Sequence, residues 1–135
     1  MIQKNLQSIN TLKTSISQIQ TVLAGESIGY TTKNKSTKDK KIATLPIGYA
    51  DGILRVYGNG KTSFLVRGHW APTIGNICMD MCMADVSGLG AETGDEAEIF
   101  GDNITIDELA LKCGTIPYEI LTSIPVRVKR VFIRE

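Results

Sequence analysis

Residues 77–83 read ICMDMCM, which places five sulfur atoms and one carboxylate in seven positions. Strand periodicity sorts them. Successive side chains of a strand point to opposite faces, so Ile77, Met79, Met81 and Met83 share one face and Cys78, Asp80 and Cys82 the other. Two cysteines so spaced stand roughly 13 Å apart at ~3.3 Å per residue. One metal with Zn–S bonds of ~2.3 Å does not span that distance. His69 is the only histidine, so a closed nitrogen–sulfur site also lacks donors. The run is therefore expected to be part of a buried strand over residues 76–85, with Cys and Met acting as apolar groups. Asp80 is the exception. A carboxylate between two apolar neighbours needs a partner, and that partner is either a structural ion pair or hydrogen bond, or a ligand.

Outward from this run, glycines punctuate the chain at Gly25, Gly52, Gly58, Gly60, Gly68, Gly75, Gly88, Gly94 and Gly101, with short stretches rich in Ile, Val, Thr and Phe between them. This spacing predicts strands at residues 11–22, 27–32, 41–48, 63–66, 69–73, 76–85, 96–100 and 126–134. Two short helices are expected near the C-terminus. TIDELALKCG carries a capping box from Thr105 to Glu108 and a glycine stop at Gly114. TIPYEILTSIP has Pro117 at its start, where a missing N–H does no harm, and Pro125 past its end. The fold class is thus mainly β: a small closed Greek-key β-barrel-like domain with one or two short helices.

The 135 residues suffice for one domain, and 42% hydrophobic content supports a core. A net charge of +1 argues against strong attraction to nucleic acid or a membrane. No apolar run approaches the ~20 residues of a membrane span, and the first ten residues lack the apolar stretch of a signal peptide. Three cysteines are an odd number and fit a reducing, cytoplasmic setting. KNKSTKDKK, residues 33–41, holds five lysines. It reads as a solvated hairpin loop that blunts edge pairing, or as an interaction tip.

Four ordered blocks carry a family resemblance. IATLPIGYADGILR (42–55) and GHWAPTIGNICMDMCMADV (68–86) resemble the P-I-G-Y-x-D-G turn and the A-P-x-x-G-x-I/V-C-M-D strand of alanine racemase C-terminal domains. LKTSISQIQTVLAGESIGYTT (12–32) and IPYEILTSIPVRVKRVFI (116–133) resemble the family's opening and closing segments. The resemblance implies a frayed connection over residues 1–11 and the β domain over 12–135. It implies part of an isomerase that interconverts L- and D-alanine for peptidoglycan, with pyridoxal 5'-phosphate held covalently by a lysine of a preceding (β/α)₈ barrel. A barrel of that kind takes about 250 residues, so this chain alone is expected to be inactive. The implied partners are alanine, the N-terminal barrel domain and a second copy in a head-to-tail homodimer. No nucleic acid, membrane or metal is implied.

Racemisation removes an α-proton on one face and returns one on the other. By resemblance the cofactor lysine serves one face and Tyr30, acting in trans, serves the other. On its own residues Tyr30 reads as an aromatic at a strand end with its hydroxyl outward, and its family motif is what suggests chemistry. Resemblance further places Tyr49 at the substrate entrance, the Met79 backbone N–H at the substrate carboxylate, Asp80 in the entrance wall and Tyr118 at the cofactor phosphate. Two departures stand out: Thr31 where the family has Gly, and Asn76 where Arg is common. Two other readings compete. One is a β-barrel binding module that grips nucleic acid through its Lys-rich loop, although the chain has only three Phe and one Trp for stacking. The other is a domain of a related pyridoxal-phosphate decarboxylase.

Overall fold

A computed structural model describes residues 11–26 and 37–131. Among the described residues, seven strands form two antiparallel sheets. The first has β1 (Leu12–Ser15), β7 (Glu96–Phe100), β4 (Ser63–Val66) and β5 (His69–Pro72) in that order, and the second has β2 (Gln18–Val22), β3 (Lys40–Leu45) and β6 (Cys82–Asp85). One bridge, Thr73 with Ala84, joins the end of β5 to β6.

Alternation explains which side of each strand is inside. On β4, Phe64 and Val66 are buried and Ser63 and Leu65 only partly so; on β7, Ala97 and Ile99 are buried and alternate with the more exposed Glu96 and Glu98. These side chains join Ile16, Leu45, Ile53 and Ile120 in one core. β3 is apolar on both faces. Ala43 and Leu45 enter that core, while Ile42 packs with Val22 and Met83 in a small second cluster.

The expected strand over 11–22 is two strands in different sheets. The chain turns at Ile16 and Ser17: the Ile16 N–H donates to Asp95 O at 2.8 Å and the Ser17 N–H to Thr44 O at 3.0 Å. These partners lie in different parts of the chain, so the backbone is passed from one sheet to the other. The expected strand over 41–48 stops at Leu45, just before Pro46, which has no ladder donor. The expected strand over 27–32 lies outside the described residues, as do two of the five lysines in the 33–41 loop, while Lys40 and Lys41 belong to β3. The part of 126–134 that is described is turn and coil.

Both helices are where the sequence puts them. In α1 (Ile106–Cys113) the Thr105 hydroxyl accepts from the Glu108 N–H at 3.1 Å, and Gly114 ends the helix in a left-handed conformation. Ile106, Leu109 and Ala110 form its buried stripe. α2 (Pro117–Thr122) has its proline in the first turn and buries Ile120.

The reading of residues 76–85 as one strand is corrected. Only Cys82–Asp85 pairs, with β3. Residues 77–81 turn back on themselves, the Cys78 N–H donating to Met81 O at 2.9 Å. The predicted sharing of faces fails with it: Met83 is buried while Met79 is 53% exposed. Cys82 itself has 0% exposure, and burial, followed by the neighbouring Cys78, pushes its thiol up to about 12. This has a consequence for alkaline stability. Below the ordinary thiol value of 9.0 both folded and unfolded chains keep the proton, and nothing is lost. Between that value and about 12 the unfolded chain ionises and the folded one does not. Stability should therefore fall with rising pH through that window, by about 1.4 kcal/mol per unit from this group. Urea titrations at stepped pH on the parent and on Cys82→Ala check it. The variant should have the shallower alkaline decline, and equal slopes would contradict the assignment.

Candidate functional site

Two turns meet edge to edge below the end of β3. The first begins at Gly48 and runs through a 3₁₀ turn, Tyr49–Asp51. The Asp51 carboxylate folds back to accept the Gly48 N–H at 3.0 Å, which fixes the turn from within. Gly52 closes it at φ 95°, a conformation that favours glycine. There is also no room for a larger residue, because a Cβ at Gly52 would lie 2.8 Å from Ser123 O and 2.9 Å from the Ile124 Cα. The end of α2 is therefore packed directly on this turn.

The second turn is 77–81. Its carbonyls, freed from any ladder, accept from the first turn: the Tyr49 N–H donates to Cys78 O at 2.9 Å and the Ala50 N–H to Met79 O at 3.0 Å. These two bonds are the physical reason that 77–81 departs from strand form. Among the described residues the Met79 N–H has no acceptor, although it stands at an exposed position. A main-chain donor in that state is available to an anionic or carbonyl ligand.

Three of the sequence-predicted residues are thus brought together. Tyr49 is 46% exposed beside Met79, and Asp80 is exposed at the tip of the second turn. Asp80 is not wedged between apolar neighbours as the strand reading implied; its partner is Arg127, at 3.5 Å. Tyr118 sits in the first turn of α2, 73% exposed, and reaches the other three only through the packing of its helix end on Gly52. Tyr30 and Thr31 lie outside the described residues. Asn76 accepts at Oδ1 from Asn59 Nδ2 at 2.9 Å, so the position of the family's arginine is tied to the neighbouring 58–60 turn.

Two residues were given no role by the sequence reading: Asp51 stands in the quoted IATLPIGYADGILR block and Arg127 in the quoted closing segment IPYEILTSIPVRVKRVFI, and neither resemblance singled out its side chain. The Arg127 guanidinium contacts Asp51 Oδ1 through Nη2 at 2.7 Å and through Nε at 2.9 Å. The hydrogen bond and charge of Asp51, then those of Asp80, raise its pKa above the ordinary arginine value. A cation 76 positions away from its main partner leaves no local signal in the sequence. Among the described residues no cluster of three or more His, Cys, Asp and Glu side chains is placed to hold a metal.

The chain resembles known proteins along nearly its whole length. The family described as "Alanine racemase, C-terminal domain" matches residues 9–132. Alanine racemase 1 of Clostridium acetobutylicum is 43% identical over 135 residues, covering 96% of this chain and 35% of that protein. Alanine racemase 2 of Caldanaerobacter subterraneus is 42% identical over 134 residues, with 96% and 34% covered. The crystal structure of alanine racemase from Bartonella henselae with covalently bound pyridoxal phosphate superposes at a TM-score of 0.86, at 32% identity, over 91% of this chain and 34% of that one. The biosynthetic alanine racemase from Pseudomonas aeruginosa gives 0.85 at 36% identity, over 92% and 35%. The chain therefore spans about a third of the length of the proteins it matches, at 35% of the first relative.

Proposed function

Because this chain belongs to the alanine racemase family, as its C-terminal domain, we propose that it forms the β-rich part of a pyridoxal-phosphate-dependent enzyme that interconverts L- and D-alanine. The observation that carries this reading is the meeting of the two turns. It leaves the Met79 N–H without an acceptor among the described residues, at an exposed residue bonded through its carbonyl to the turn that carries Tyr49, with exposed Asp80 next in the chain. The binding-module and decarboxylase readings are not favoured by the relatives, which are named alanine racemases.

The cofactor fits this donor set in part. The family resemblance assigns the covalent anchor to a lysine of an N-terminal barrel domain, and neither IGYADG (47–52) nor ICMDMCM (77–83) contains a lysine. The exposed Tyr118 hydroxyl is suited to donate a hydrogen bond to the cofactor phosphate. Pyridoxal phosphate, when bound, supplies the electron sink that makes the α-proton of the amino acid removable. The rest falls to this chain. The Met79 N–H holds the substrate carboxylate, and Tyr49 and Asp80 shape the entrance. Tyr30 takes the α-proton of the L-isomer and returns one in the opposite direction. In this reading the site is completed by a second copy in a homodimer and the enzyme works in the cytoplasm. No described helix is long and apolar enough to cross a membrane.

The test is a chimera in which this chain replaces the C-terminal third of the Clostridium acetobutylicum enzyme. Loaded with pyridoxal phosphate, the chimera should racemise alanine, whereas the 135-residue chain alone should not. A folded, cofactor-loaded chimera without racemisation would sink the reading.

A further inference from the structure

The segment after α2 is shaped by its own arginine. Arg130 donates to Ile124 O at 3.1 Å, Pro125 O at 3.1 Å and Val128 O at 3.2 Å. Residues 126–131, the described part of the expected strand, are turn and coil, and the Val128 carbonyl within it, like those of Ile124 and Pro125 just before, is engaged by this guanidinium in place of a ladder partner. The same loop carries Arg127. That residue meets both turns of the candidate site. It contacts Asp51, whose second oxygen holds the Gly48 N–H, and it contacts Asp80 at the tip of the Met79 turn. The Asp51 contact is the stronger, since that carboxylate is mostly shielded and the distances are 2.7 and 2.9 Å. The Asp80 contact is longer, at 3.5 Å, and exposed.

From this we propose that Arg127 is a positioning residue that sets the two turns against each other and so aims the Met79 N–H and the Tyr49 ring. The proposal rests on the functional reading above. It adds a component outside both turns, which acts through Asp51 and Asp80 and touches no substrate. A planar fork can bridge two carboxylates at once, whereas an ammonium group acts as a point charge. Arg127→Lys should therefore keep the Asp51 contact and lose the bridge.

Amide hydrogen exchange on the 135-residue chain reads the positioning directly. The Tyr49 and Ala50 amides, which bond to the second turn, should exchange about three- to tenfold faster in Arg127→Ala. The β3–β6 ladder amides should stay as they are, and Arg127→Lys should fall between the two. Asp80→Asn, an exposed change with little risk to folding, should raise the same two rates by a smaller factor. In the racemising chimera, Arg127→Ala should raise KM for alanine while kcat stays within about twofold, the signature of lost ground-state binding. Unchanged Tyr49 and Ala50 exchange overturns the proposal, as does faster exchange with an unmoved KM. If the parent chimera does not racemise at all, the functional reading fails, and the exchange rates alone still decide whether Arg127 holds the turns.

Discussion

Tyr30→Phe is expected to slow alanine racemisation in the assembled enzyme by roughly 10²–10⁴-fold, the usual worth of a positioned general acid–base group. The change removes one oxygen, so binding and folding should be close to the parent. The two faces of the α-carbon make the effect separable. In D₂O the α-proton of L-alanine should stop exchanging in the variant, while D-alanine, whose proton leaves toward the other base, should go on exchanging. A purely structural tyrosine would slow both isomers alike. A phenol with an ordinary pKa near ~10 is ionised in only about one molecule in a thousand at pH 7. The assembled enzyme must therefore bring cationic or hydrogen-bonding groups to this ring, and ICMDMCM and IGYADG contain no Lys, Arg or His. Racemisation at the parental rate by Tyr30→Phe would remove Tyr30 from the chemistry.

What the sequence made legible was local. The β4–β5 hairpin, the capped α1 and the proline-started α2 follow from signals a few residues apart, and all three appear at the expected places. The failures share a different cause. Residues 11–22 and 76–85 both have strand composition, yet in each the backbone changes partner within the run, from one ladder to another in the first and from a turn to a ladder in the second. The first passes from Asp95 beside β7 at Ile16 to Thr44 of β3 at Ser17, and in the second the carbonyls of Cys78 and Met79 are taken by the turn that follows β3. Strand periodicity is blind to such partners. The candidate site was legible only as a resemblance. Tyr49 and Met79 stand in two motifs whose order and separation match a family, although their mutual contact through main-chain hydrogen bonds could not be read from spacing. Arg127 stands in the closing segment that resembles the family, but its partners lay beyond both kinds of signal, since they depend on a loop held by Arg130 and on carboxylates in two other segments.

Gly48→Ala is expected to be among the most damaging single-methyl additions in this chain. Glycine-to-alanine changes ordinarily stabilise by about 0.4–1 kcal/mol where the backbone permits, by restricting the unfolded chain. The backbone permits it here, because φ at Gly48 is −143°, an extended value open to any residue. Space decides the sign instead. The added Cβ would collide with the carbonyl oxygens of Cys78 and Met79. Neither can swing aside like the end of a side chain, because both are main-chain groups engaged by Tyr49 and Ala50. Relief requires the two turns to separate, which breaks both hydrogen bonds at about 1 kcal/mol each and adds overpacking strain of about 1–3 kcal/mol. The net loss should be roughly 2–4 kcal/mol, a large share of the 5–15 kcal/mol typical of a folded domain. Urea denaturation measures it, and a variant as stable as the parent would show that the turns are not in contact at Gly48. The same separation carries the Met79 N–H away from the Tyr49 ring. A chimera bearing Gly48→Ala should accordingly bind alanine poorly even at temperatures where it stays folded, which joins the packing of one glycine to the geometry of the site.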